Sequence, residues 1–168
     1  MARAALTELE GAILGVLRRG QAHTAYAVRQ VFKISVSAEW SGSAGAVYPA
    51  IARMKAAGLL AGRALKGGRG GVAYSLTPAG SAAHDRWLCD VARIVGPGVD
   101  PFRTRAGLWP LLPARQRRAL MAELQRAIAA RRDAMANAPP APDHGDAIGD
   151  ALLVMLMELR LRWLAMNG

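Results

Sequence analysis

Gly68, Gly70 and Ala73, in the run GGRGGVA, satisfy the G-x-G-x-x-G/A spacing of a loop that holds a dinucleotide pyrophosphate. That chemistry requires the glycines to leave a strand and open a helix, so that bare backbone and the helix N-terminus both face the phosphate. Here the glycines run instead into VAYSL, where Val72, Tyr74 and Leu76 alternate with Ala73 and Ser75, and a helix start comes only at Thr77–Pro78. The nucleotide reading fails on this context. What remains is a glycine-rich loop carrying Lys66 and Arg69, free of bulky neighbours and suited to backbone phosphates or the minor groove of a larger polyanion.

No other constellation presents catalytic chemistry. His23, His84 and His144 are far apart, lack the local spacing of a metal motif and have only Cys89 to join them, so each is read as a surface or capping residue. Cys89 reads as a small buried hydrophobe in a helix rather than a nucleophile. No G-x-S-x-G setting presents a serine. The chain is therefore expected to be no enzyme and to need neither cofactor nor metal. A single cysteine excludes an intramolecular disulfide and suits a reducing compartment. Glu8 and Glu10 interrupt any signal-peptide core, and the apolar run AIGDALLVMLMELRLRWLAM carries Asp150, Glu158, Arg160 and Arg162, which disfavours a membrane span. A cytoplasmic protein is expected.

The charge balance points to the partner. With 22 Lys and Arg against 12 Asp and Glu, the chain has a formal charge of +10, which favours nucleic acid first and an anionic membrane second. Residues 1–86 hold eleven of those cations against four acids, so the excess lies mainly in the first half.

The elements that must carry these residues follow from periodicity. Thr7 with Glu10 forms a capping-box signature, Leu9, Ile13, Leu14 and Leu17 recur at helical spacing, and Gly20 stops the first helix. A short second helix follows Thr24, with Tyr26, Val28 and Phe32 available for packing. A third spans 43–57, capped by Ser43 or Ser41, with Val47, Ile51 and Met54 on one face and Gly58 at its end. Pro49 lies inside it and needs a place near the first turns. Residues 59–76 read as a hairpin around the glycine loop, and Thr77–Pro78 starts a fourth helix reaching Val95. GPGVDP at 96–101 is the candidate boundary. Beyond it Pro113 opens a long amphipathic helix with Leu120, Leu124 and Ile128 on one face, and 147–166 form a last helix that is apolar over much of its circumference and must pack on something.

Three helices, strand, loop, strand and helix is the order of a winged helix-turn-helix, mainly α with a small β-hairpin. Particular residues then resemble the PadR-like family of transcriptional regulators: Gly45, Val47, Tyr48, Pro49, Ile51, Met54, Gly58, Leu59 and Leu60 in the third helix and its exit, and Tyr74, Leu76, Thr77 and Gly80 after the wing. HTAYAV upstream and LLPARQRRALMAELQ downstream are similar to further family segments, and the family's Tyr-Pro habit implies that Pro49 is tolerated near the start of its helix. Ala46 stands where the family usually carries Thr or Ser, Lys55 where it carries Glu, and Ala25 where it carries Gly.

The resemblance implies a homodimeric DNA-binding regulator, a repressor, on a pseudo-palindromic operator. Residues 1–95 would be the winged-helix domain with its linking helix, and 96–168 a C-terminal helical dimerisation domain. Double-stranded DNA is expected to meet Ser41, Ser43, Tyr48, Arg53, Lys66 and Arg69. Dimerisation is expected at Trp87, Leu152, Leu156, Leu159 and Trp163. Trp109 and Trp163 are candidates for a pocket taking a small aromatic effector. Two alternatives stand beside this: a winged-helix module for protein–protein contact without specific DNA binding, and a ligand-responsive sensor with its pocket at the dimer interface.

Overall fold

The computed structural model describes residues 5–21, 23–33, 44–65, 71–96, 100–139 and 144–168. The chain forms two compact units, Met1–Asp90 with Val99–Leu111, and Val91–Gly98 with Leu112–Gly168.

The first unit begins with α1 (Glu8–Arg18), whose capping box is complete: Thr7 Oγ1 accepts from the Glu10 N–H, and Glu10 Oε2 accepts from the Thr7 N–H. Helix α2 (Ala25–Lys33) buries Val28 and Phe32, while α3 (Ala44–Ala56) buries Val47, Ala50, Ile51 and Met54 and stops at Gly58, which has φ 69°. Tyr26, expected to pack, is instead 60% exposed, because Val28 and Phe32 already define the inward stripe of a helix only nine residues long. Strands β1 (Leu60–Ala64) and β2 (Val72–Leu76) pair antiparallel, with Leu60 opposite Leu76 and Ala64 opposite Val72; the Leu65 N–H to Gly71 carbonyl bond extends the ladder towards the loop. On the far side of β2 the Tyr74 N–H donates to the His23 carbonyl, which pins the entry of α2 to the wing.

Helix α4 (Pro78–Leu88) starts as expected, with Thr77 Oγ1 accepting from the Gly80 N–H and Pro78 in the first turn. It does not run on to Val95. The Cys89 N–H turns back onto the Asp85 and Arg86 carbonyls and closes the helix, and Cys89 is half-buried at that cap rather than inside a helix. A separate α5 (Val91–Val95) belongs to the second unit. The segment Val99–Leu111 returns to the first unit, so the division is not a single cut near residue 95. There α6 (Pro101–Ala106) and the 3-10 turn Trp109–Leu111 bury Phe102, Arg105, Leu108 and Trp109.

Two buried polar groups hold this unit. Arg105 is fully buried: Nη1 and Nη2 donate to the two carboxylate oxygens of Glu8 at 2.7 and 2.8 Å, Nε to the Trp87 carbonyl, and the guanidinium lies 4.1 Å from the centre of the Trp87 ring. His84, read from the sequence as surface or capping, is also fully buried, stacked on Trp87. Its Nδ1 accepts from Arg18 Nη1, whose other contacts are Asp85 Oδ1 and, through Nη2, the Leu111 carbonyl.

Burial first, and the Arg18 cation second, press the His84 pKa down to about 4 against a smaller opposing pull from Asp85. The unfolded chain, titrating near 6.5, takes up a proton that the folded protein refuses. The contribution of His84 to stability is therefore constant above about 6.5 and falls as pH drops towards about 4, by about 3 kcal/mol. Urea midpoints measured across that window should fall, and His84→Gln should flatten this part of the profile.

In the second unit α7 (Ala114–Ala136) buries Leu120, Met121, Leu124 and Ile128, the predicted face, and packs on α8 (His144–Asn167) and α5. Pro113 sits one position earlier than expected, at the cap rather than the first helical residue. Among the described residues of α8, Met157 and Leu164 are buried, whereas Leu152, Leu153, Met155, Leu156 and Leu159 remain exposed.

Candidate nucleic-acid interface

Helix α3 presents two unlike faces. Inward, Val47, Ala50, Ile51 and Met54 are almost completely buried; outward, Gly45, Ala46, Tyr48, Pro49 and Ala52 are exposed. The outward face is nearly free of bulk, so a helix of this kind can sit deep in a groove with its backbone close to base edges. From Ala44 to Ala52 the Tyr48 hydroxyl, on a ring 42% exposed, is the sole side-chain hydrogen-bonding group. Pro49, the sixth residue of the helix, withholds an N–H from the Gly45 carbonyl, whose own residue stands in open space on the outer side.

Arg53 is tied inward by one edge. Its Nε and Nη2 both donate to Glu10 Oε1, at 3.2 and 3.0 Å, while most of the side chain stays exposed. Glu10 thus does two jobs, closing the α1 cap with one oxygen and fixing α3 with the other. Arg53 is therefore first a brace between helices, and its exposed edge is what remains for a phosphate.

The hairpin and the end of α3 supply further cations that the sequence pattern did not single out. Arg63 is exposed on β1 opposite Ala73, and the aliphatic chain of Lys55 runs beside Gly62. In the sequence Lys55 stands out only as a departure from the family pattern, and Arg63 is hidden in a run whose signal is its alternation. Tyr26 on α2 is a further exposed polar group, its aromatic type having suggested packing. Ser41, Ser43, Lys66 and Arg69 lie outside the described residues.

The tryptophans divide differently from expectation. Trp87, expected at a dimer surface, is a core residue of the first unit: Gly11 of α1 leaves the space its indole occupies, and a Cβ there would collide with the ring. Trp109, a candidate for a ligand pocket, is also core, its indole N–H donating to the Leu88 carbonyl and its ring meeting Phe102 edge-on at 5.1 Å. Trp163 is half-buried in α8. Leu152 and Leu159 are 61% and 63% exposed, and with Leu156 they leave an apolar stripe on α8 open to solvent. Among the described residues no three His, Cys, Asp or Glu side chains gather as metal ligands, and no helix is long and apolar enough to cross a membrane.

Residues 13–86 match the model of the transcriptional regulator PadR-like family. Among solved structures, the chain is similar to Bacillus subtilis PadR in complex with operator DNA, at 21% identity and a TM-score of 0.48, covering 96% of this chain and 97% of that one. It is similar to Bacillus subtilis PadR in complex with p-coumaric acid at 22% identity and a TM-score of 0.44, covering 99% and 96%. Bacillus subtilis PadR in space group H32 gives 20% identity and a TM-score of 0.45, covering 96% and 97%. No curated protein matches the chain.

Proposed function

Since residues 13–86 are a domain of the PadR-like family of transcriptional regulators, we propose that this chain is a homodimeric, DNA-binding repressor. Its winged unit would read an operator through α3 and the 59–76 hairpin. The observation that carries the reading is the outward face of α3, which from Ala44 to Ala52 is stripped to Gly, Ala and Pro around one exposed tyrosine and then carries exposed Arg53 and Lys55, beside a hairpin that bears Arg63. Tyr48 would supply the polar contact to a base edge or phosphate, Ser41 and Ser43 would cap the helix towards phosphate, and Lys66 and Arg69 would hold the backbone from the wing. With so few hydrogen-bonding groups on α3, much of the sequence preference would come from the shape of the DNA.

The exposed stripe of Leu152, Leu156 and Leu159, with Trp163 beside it, supports dimerisation through α8, since apolar side chains on one exposed helix face mark an interaction surface. Two copies related by a twofold axis would then place two recognition helices about one helical turn apart on a pseudo-palindrome. The site of action would be the cytoplasm. An aromatic effector at Trp163, outside the core positions taken by Trp87 and Trp109, would have to act through the α8 interface.

The test is selection of binding sites from a random duplex pool, with the molar mass of the free protein measured by light scattering. Enrichment of an inverted repeat by a dimer is expected, and Leu156→Glu/Leu159→Glu should yield a monomer that enriches half-sites weakly. A monomeric wild type at micromolar concentration overturns the symmetric part of the proposal.

A further inference from the structure

Helix α7 carries six arginines against Glu123 and Asp133. Its hydrophobic stripe, Leu120, Leu124 and Ile128, faces inward; on the diametrically opposite side Arg115, Arg118 and Arg126 fall within an arc of about 80° by the 3.6-residue repeat and along about 16 Å of axis. All three are exposed, and among the described residues none has an ion-pair partner. The two acids of the helix do not neutralise the stripe. Asp133 is engaged by Arg132 at 2.6 Å, and Glu123, three residues before Arg126, lies at the edge of the arc without pairing to it.

The residues between the arginines on that face are small, Ala119 and Ala122; Ala129 follows Arg126, and Asp133, paired to Arg132, ends the face about two turns beyond it. A solvated helix face stabilises itself with opposite charges three or four residues apart, and here the positions three and four beyond Arg115 and Arg118 hold Arg118, Ala119, Met121 and Ala122. The arrangement gives up local pairing and keeps a row of guanidinium groups over a flat alanine bed, the geometry that meets a regular row of phosphates.

We propose that this face of α7 is a second, sequence-independent contact for the backbone of double-stranded DNA, separate from the winged unit's site. The inference rests on the reading of the chain as a DNA-binding protein. It assigns to the second unit a share of the overall affinity and none of the sequence preference.

The experiment uses the full chain and a long mixed-sequence duplex, with affinity measured by fluorescence anisotropy over a series of NaCl concentrations. Arg115→Ala/Arg118→Ala/Arg126→Ala is expected to weaken binding at low salt by about tenfold or more. It should also make the slope of log K against log salt shallower by about 2–3, close to 0.9 for each phosphate no longer neutralised. The triple lysine variant should keep the slope, and the melting temperature of both variants should equal that of wild type, since the side chains are exposed. An unchanged slope in the alanine variant overturns the proposal, as does a variant that loses binding to phosphatidylserine vesicles while its DNA binding is intact. A Lys66→Ala/Arg69→Ala variant weakened on the same duplex, beside an unaffected α7 variant, would leave the winged-unit reading standing and remove this one. A wild type that binds no duplex removes both.

Discussion

Replacing Arg105 with methionine is expected to cost about 3 kcal/mol of stability, and replacing it with alanine about 5, because alanine also leaves a cavity. The guanidinium is fully buried and satisfies four acceptors: both oxygens of Glu8 and the carbonyls of Trp87 and Pro101. Methionine preserves much of the volume, so its effect isolates the groups left without a partner. Glu8 is about one-third exposed and recovers some solvation, whereas the two carbonyls lie inside. Adding Glu8→Gln to Arg105→Met should restore part of the loss, since the carboxylate then needs no cation. Arg103, exposed and paired to Asp100 three residues before it, gives the contrast: Arg103→Met should change stability by less than about 1 kcal/mol. Urea denaturation of these four variants checks the expectations, and equal effects at 103 and 105 would contradict the account of the core.

Gly80→Ala is expected to destabilise by about 3 kcal/mol, although alanine is intrinsically the better helix residue by about 1 kcal/mol. Gly80 lies in the first turn of α4, and a Cβ on it would be driven into the carbonyl oxygen of Leu59. That oxygen cannot retreat cheaply. It accepts from the Thr77 N–H at 3.0 Å, the Thr77 hydroxyl donates to the adjoining Gly58 carbonyl at 2.7 Å, and Leu59 is the residue that leads from α3 into β1. The obstacle is backbone rather than a flexible side chain, so relief would have to open the seat of α4 against the root of the wing. A variant that melts at or above the wild-type temperature would show that this approach is not as close as described.

These two positions show what was legible in the sequence. Local signals were: Thr7 with Glu10, Thr77 with Pro78, the Val47/Ile51/Met54 stripe and the 59–76 hairpin are all set by neighbours within a few residues, and each lies where its pattern places it. Gly80 is visible as a motif residue, but the reason for it is a carbonyl 21 positions earlier in the chain that only the fold brings near. Arg105 and His84 escape a sequence reading because their partners, Glu8 and Arg18, lie 97 and 66 residues away. Charged and polar types read as surface residues unless such a partner is known. Arg53 is half-legible: its position off the buried face of α3 is clear, and its bond to Glu10 across 43 residues is not. The tryptophans fail for a related reason, since residue type gives burial but not the surface against which a ring is buried. Trp87 and Trp109 went to the core of the first unit, where Gly11 and Phe102 receive them.

The central claim is that the winged unit engages DNA through α3 and the basic hairpin, and titration of a selected duplex with the full chain over a range of salt concentrations tests it most directly. Affinity should fall steeply and linearly on logarithmic axes as salt rises, in proportion to the phosphates neutralised. Lys66→Ala/Arg69→Ala should flatten that line, while Tyr48→Ala should lower affinity for the selected sequence by more than for a scrambled one. Binding that is absent, or independent of salt and of all three residues, would contradict the account and leave the fold as a surface for protein partners.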